Sequence, residues 1–220
     1  MEWINKAKFK LDRLKRQVKE GVEKKYILFI RSDSRLLIFD DFLPSILSPW
    51  RSYEFNEILK KFPNSKIYVD GSSFKFYNQG KGFKESIRYL CQFYPNLNGN
   101  IKKLNILSIL RAKFFYTIFY NNIVKYYELL DFFNINFGFC LYPGGGFDLK
   151  SIKIKNELKK IFSSKNFKFV IVNQNITKKF LLENELTSKD KIKLISGVPL
   201  DLAKYSINVH KDFNNEIKIL

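Results

Sequence analysis

Apolar residues in this chain fall into short runs, and the stretches between runs repeat their apolar positions every third or fourth residue. The runs are too short for buried helices and read as strands; the intervening periodicity reads as helices. The first strand is Arg35–Asp40, RLLIFD, closed by the pair Asp40-Asp41. Ser48-Pro49 then gives a helix start, with serine as cap and proline in the first turn. This helix is expected to run to about Lys61, with Phe55, Ile58, Leu59 and Phe62 on one side. Lys66–Val69, KIYV, is the next strand, ended by Asp70-Gly71. Residues 72–105 are aromatic-rich, carry Gly80 and Gly82, and show one helical pattern near 83–93.

The alternation is clearer further on. Phe114–Phe119 is a strand, and Asn121-Asn122 opens a helix through Phe133. Phe137–Leu141 is a strand, followed by Pro143 and three glycines. A helix from about Ser151 buries Ile154, Leu158, Ile161 and Phe162. Phe167–Val172, FKFVIV, is a wholly apolar strand, and Asn173 or Asn175 caps a helix carrying Ile176, Phe180 and Leu181. Ile192–Ile195 is the last strand of the unit. Near-continuous apolar strands alternating with helices predict an α/β, Rossmann-like domain, a mostly parallel sheet with helices on both faces.

Three segments follow. Residues 1–30 form a basic extension in which Trp3, Ile4, Ala7, Leu11, Leu14 and Val18 make one apolar stripe of an amphipathic helix over residues 1–25. This helix either docks on a protein surface or lies in the plane of an anionic membrane. Residues 31–200 are the Rossmann-like domain. Residues 201–220 are a polar linker and, at Glu216–Leu220, the expected first strand of a second domain.

Composition narrows the partners. The formal net charge is +18. It has two readings: a polyanionic partner, or the lysine-rich coding of an AT-rich genome. No apolar run is long enough to span a membrane, and the charged N-terminus lacks a secretory h-region. Cys91 and Cys140 stand apart in apolar settings and read as two buried free thiols, which suits a cytoplasmic protein. With one histidine, His210, and no Asp-x-Asp, neither a metal site nor a cofactor is expected. The aromatic residues lie within apolar strands and are not interleaved with lysines, so no specific nucleic acid is expected, although a basic nucleic-acid-binding protein stays as the alternative reading. A non-catalytic module that binds a membrane or a partner protein is the other.

Ligands of open α/β sheets bind at the carboxyl ends of the strands. Three loops there carry candidate substrate-binding residues. Arg51 follows Asp40–Pro49 at a helix start, where free N–H groups and a guanidinium suit an anion, or where the arginine is simply solvated. Tyr142 leads into Gly144, Gly145 and Gly146, whose backbone either approaches a ligand or makes a flexible turn. Gln174 in Asn173–Ile176 could bind sugar hydroxyls, or the segment could be a helix cap. Asn121 opens another helix at this rim.

The segments LYPGGGF, FKFVIVNQNITKKFLL and KIKLISGVPLD, in that order, resemble the N-terminal domain of retaining, GT-B-fold "group 1" glycosyltransferases. DDFLPSILSPWRSYEF and YTIFYNN resemble segments of one bacterial branch, and the likeness covers about Arg35 to Asp201. Gly197-Val198 resembles the family's exit from the first domain, with Ser196 and Pro199 departing from its common form. The resemblance implies two facing Rossmann-like domains. The N-terminal half would face a glycan or lipid-linked acceptor, and the C-terminal half would hold the nucleotide sugar and a paired-glutamate motif. No glutamate of this chain has another eight residues on. The chain is therefore expected to be the acceptor-side half, inactive without a C-terminal half supplied separately, and located in the cytoplasm or peripherally on the inner face of the membrane. On the same resemblance Gly144, Gly145 and Gly146 would line the cleft, with Arg51, Asn121, Tyr142 and Gln174 beside them. No catalytic base or nucleophile is assignable.

Overall fold

The computed structural model describes residues 35–44, 49–70 and 82–195. The expected amphipathic helix, the Gly197-Val198 turn and the Glu216–Leu220 strand lie outside them. Seven strands form one sheet in the order β3-β2-β1-β4-β5-β6-β7. They are β1 (Arg35–Asp40), β2 (Lys66–Val69), β3 (Ile101–Lys103), β4 (Ala112–Ile118), β5 (Asn136–Leu141), β6 (Phe167–Val172) and β7 (Ile192–Leu194). Every neighbouring pair is parallel. The helices are α1 (Pro49–Lys61), α2 (Phe83–Phe93), α3 (Ile106–Leu110), α4 (Tyr120–Phe132), α5 (Ile152–Phe162) and α6 (Asn175–Glu183). The Rossmann-like α/β expectation holds.

The two-residue period of a strand sends successive side chains to opposite faces, and both faces are apolar here. On one face Leu37, Phe39, Phe115, Phe137, Phe139, Val170 and Val172 pack with Ile123 and Leu130 of α4, Leu158 and Ile161 of α5, and Leu181 of α6. On the other, Ile38, Ile67, Val69, Tyr116, Ile118 and Cys140 pack with Phe55 and Leu59 of α1 and Leu90 of α2. The two halves of the chain therefore wind to opposite faces. β1 and β4 are the adjacent strands from which they diverge.

Differences from the sequence reading are local. β3 and α3 fall in the segments left unassigned; β3 has one buried residue, Ile101, and its lysines are exposed, so it has no apolar run to detect. Phe119 ends β4 instead of continuing it, because its backbone turns to positive φ. Gln174, not Asn173 or Asn175, is the cap residue of α6, and its side chain makes no cap hydrogen bond. Ile176 is exposed, since it lies in the first turn, beyond the end of the sheet. Cys140 is buried, but Cys91 is only half-buried, because α2 turns it toward the helix edge.

The interlayer packing sets the expected response to truncation. Leu158 is fully buried between α5 and the sheet. Leu158→Ala should lower unfolding free energy by about 2–5 kcal/mol in denaturant titration, with little change in the denaturant slope.

Candidate functional site

The carboxyl ends of β1 and β4 meet where the winding reverses, and the groups there are held by a buried ion pair. Asp40 ends β1 and is wholly buried. Its Oδ1 accepts the backbone N–H groups of Phe42 and Leu43, both at 2.7 Å. Arg51, in the first turn of α1, donates from Nη1 to Asp40 Oδ1 at 3.2 Å and Oδ2 at 3.1 Å, and to Asp41 Oδ1 at 3.4 Å. Burial pushes the Asp40 carboxyl above its ordinary value; Arg51 and the two amides pull it back, and Asp41 adds to the rise. Arg51 is only 6% exposed, so the solvated arginine of the sequence reading is not what forms. Its anion partner is internal, and its Nε is buried without a partner.

Aromatic rings enclose that guanidinium. Its Cζ lies 4.5 Å from the centroid of Phe119, 4.6 Å from Phe42 and 5.4 Å from Trp50. Such stacking stabilises a desolvated arginine. Trp50 packs edge-on against Tyr142, with centroids 4.7 Å apart, and reaches Phe119 at 6.4 Å. Phe119 has φ 74 and ψ 147, a conformation nearly reserved for glycine that costs on the order of 1–3 kcal/mol. Its N–H nevertheless donates to the Cys140 carbonyl at 2.8 Å, tying β4's exit to β5.

The triple-glycine loop lies against the same residues. Gly144, Gly145 and Gly146 have φ values of 95, 56 and 77, and the Phe147 N–H donates to the Gly144 carbonyl at 3.1 Å. This is a tight turn with two central positive-φ residues, which glycine alone fills without strain. A Cβ on Gly145 would sit 2.5 Å from the Phe119 Cβ, and one on Gly146 would sit 2.4 Å from the Asn121 Oδ1. The Asn121 N–H donates to the Gly145 carbonyl at 3.1 Å. The close approach expected of these glycines is thus made to Phe119 and Asn121 of the protein itself.

Of the candidates from sequence, Arg51, Asn121, Tyr142 and the three glycines come together at one rim. Tyr142 is buried beneath Trp50 and Asn121 is exposed. Gln174 shares the rim and is exposed, but β6 stands three strands from β1, about 14 Å away at ordinary strand spacing. Asp40, Asp41, Trp50, Phe119 and Asn122 were missed as site residues. Asn122 Nδ2 donates to Asp41 Oδ1 at 3.0 Å and to the Ile118 carbonyl at 2.7 Å. An acidic pair at the end of an apolar strand was the available signal. Asp70, at the end of β2, pairs with Lys125 of α4 and adds a third carboxylate to this side.

One turn along α1 from Arg51, Glu54 reaches the sheet at Tyr116. Tyr116 donates its hydroxyl to Glu54 Oε1 at 2.8 Å, while Oε2 is buried without a partner. Burial pushes this carboxyl up to about 7, against the Tyr116 hydrogen bond, with Asp40 adding to the rise. Among the described residues no group of three or more metal-ligating side chains occurs. No family model matches the chain, and neither do the curated proteins or solved structures with which it was compared.

Two responses follow from these charges. Arg51→Met leaves Asp40 buried and unpaired and should destabilise by about 3–5 kcal/mol in urea. Adding Asp40→Asn, whose carbonyl still accepts the Phe42 and Leu43 amides, should recover most of the loss in a double-mutant cycle. Glu54 takes up a proton on folding between its ordinary value of 4.5 and about 7. Its contribution therefore falls as pH rises through that window and reaches a penalty of about 3 kcal/mol above it. Glu54→Gln keeps the Tyr116 bond, so its advantage in melting temperature should be small near about pH 5 and largest near about pH 8.

Proposed function

We propose that this chain is the acceptor-side half of a retaining, sugar-nucleotide-dependent glycosyltransferase, presenting a glycan or lipid-linked acceptor to a donor held by a domain outside the described residues. The observation that carries the reading is convergence: the glycine turn, Tyr142, Trp50, Asn121 and Asp41 meet at the reversal of strand order, where open α/β sheets bind ligands.

Electrostatics divides the labour. The side chains of Asp40 and Asp70 are buried and paired with Arg51 and Lys125, which leaves half-exposed Asp41 as the carboxylate of this group open to the crevice. A diphosphate entering here would be repelled by Asp41 and would find Arg51 and Lys125 already paired, whereas a neutral polyhydroxyl ligand would meet no such repulsion. Half-exposed Asp41 can accept hydrogen bonds from sugar hydroxyls, and the half-buried Trp50 ring offers an apolar face to a pyranose. Retaining transfer relies chiefly on stabilising the departing diphosphate, which this reading assigns to the other half.

Calorimetric titration of the full chain with neutral oligosaccharides and with nucleoside diphosphates tests the assignment. Oligosaccharide binding should be detectable and should weaken at least about tenfold in Asp41→Asn, a loss of about 1.4 kcal/mol or more. Sugar transfer should appear only when a donor-binding half is added. Tight nucleoside-diphosphate binding by this chain, or RNA binding with a steep salt dependence, would overturn the reading.

A further inference from the structure

The rim is not uniform. Its β1 side presents the half-exposed Asp41 carboxylate, but its β5–β7 side carries exposed isoleucines and lysines. Ile152 opens α5 and is 76% exposed; Ile176, in the first turn of α6, is 60% exposed; Ile195, following β7, is 53% exposed. α5 and α6 pack on the same sheet face behind adjacent strands β5 and β6, and Ile195 continues the sheet by donating to the Val172 carbonyl at 2.9 Å. All three side chains thus stand at the carboxyl edge. Beside them Lys150, Lys153 and Lys179 are exposed, and none of these lysines is ion-paired among the described residues. The nearby Asp148 carboxylate is turned back onto the Lys150 N–H at 2.9 Å.

This arrangement opposes ordinary helix stabilisation. Neither α5 nor α6 has an acidic residue in its first turn, so lysines sit near the positive ends of both helix dipoles. Protruding aliphatic side chains flanked by unpaired lysines fit a surface that offers both hydrocarbon and negative charge. A nucleic acid offers the charge without the hydrocarbon. An anionic bilayer offers both. We infer that the β5–β7 rim is a docking surface for an anionic membrane, with Ile152, Ile176 and Ile195 entering the interface and Lys150, Lys153 and Lys179 over the headgroups. The inference goes beyond the transferase reading and stands without it. If both hold, the acceptor crevice opens beside the bilayer surface, where a lipid-linked acceptor would lie.

Sedimentation of the full chain with vesicles tests it, using phosphatidylcholine alone and phosphatidylcholine mixed with phosphatidylglycerol. Wild type should bind the mixed vesicles far better. Lys153→Glu/Lys179→Glu should weaken that binding by at least about fivefold for each lysine removed. Ile152→Asp/Ile176→Asp should weaken it comparably. Lys165→Glu/Lys189→Glu, at the opposite edge of the sheet, should leave it unchanged. All these side chains are exposed, and unchanged circular dichroism and thermal melting would establish that each variant is folded. Three results would overturn the inference: binding unaffected by either rim pair, equal loss in the opposite-edge control, or loss with the lysine pair while the isoleucine pair binds normally. The last would make the surface a site for a soluble polyanion.

Discussion

A fully buried carboxylate at the end of β1 forces the arrangement around it. Asp40 needs a cation and hydrogen-bond donors in a place that water does not reach, and the first turn of α1 and the Phe42–Leu43 amides supply them. Because Arg51 must reach Asp40, the start of α1 is fixed over the exit of β1. Because a desolvated guanidinium is best held between rings, Trp50, Phe42 and Phe119 are fixed in turn. Phe119 then dictates Gly145, since no β-carbon fits beside it. The interactions run in sequence from β1 to the loop after β5, across the point where the winding reverses.

That chain of dependence also separates structure from recognition at the rim. The features that first suggest a phosphate site, an arginine at a helix start and a glycine-rich turn, are absorbed by internal partners. What remains at least partly exposed is Asp41, Asn121, Trp50 and the glycine turn. On the other side of the same rim the balance inverts: Lys150, Lys153 and Lys179 form no ion pair among the described residues, and Ile152, Ile176 and Ile195 are exposed. The two halves of one edge thus offer opposite chemistries.

Much of the fold was legible because a parallel sheet buried on both faces demands apolar strands, and RLLIFD, FGFCL and FKFVIV are hard to read otherwise. Ser151 as the cap of α5 and Pro49 at the start of α1 are local signals that no distant contact overrides. β3 was not legible, since a three-residue edge strand with two exposed lysines needs only backbone pairing. Site residues were legible as neighbourhoods. That Arg51 lies at the rim follows from spacing, but its capture by Asp40 depends on a turn between them that periodicity does not specify. Tyr116 and Glu54 meet across 62 residues of sequence, and no pattern in either segment announces the pair.

Phe119 holds an aromatic ring on a backbone shape that favours glycine. Replacing it with glycine would relax the main chain and remove one wall of the Arg51 enclosure in the same step. Selection for heat tolerance alone would therefore act on this position in two opposing ways. Tolerance to change is narrow here although Phe119 carries no charge and makes no side-chain hydrogen bond, because Arg51, Trp50, Tyr142 and Gly145 all lie against it.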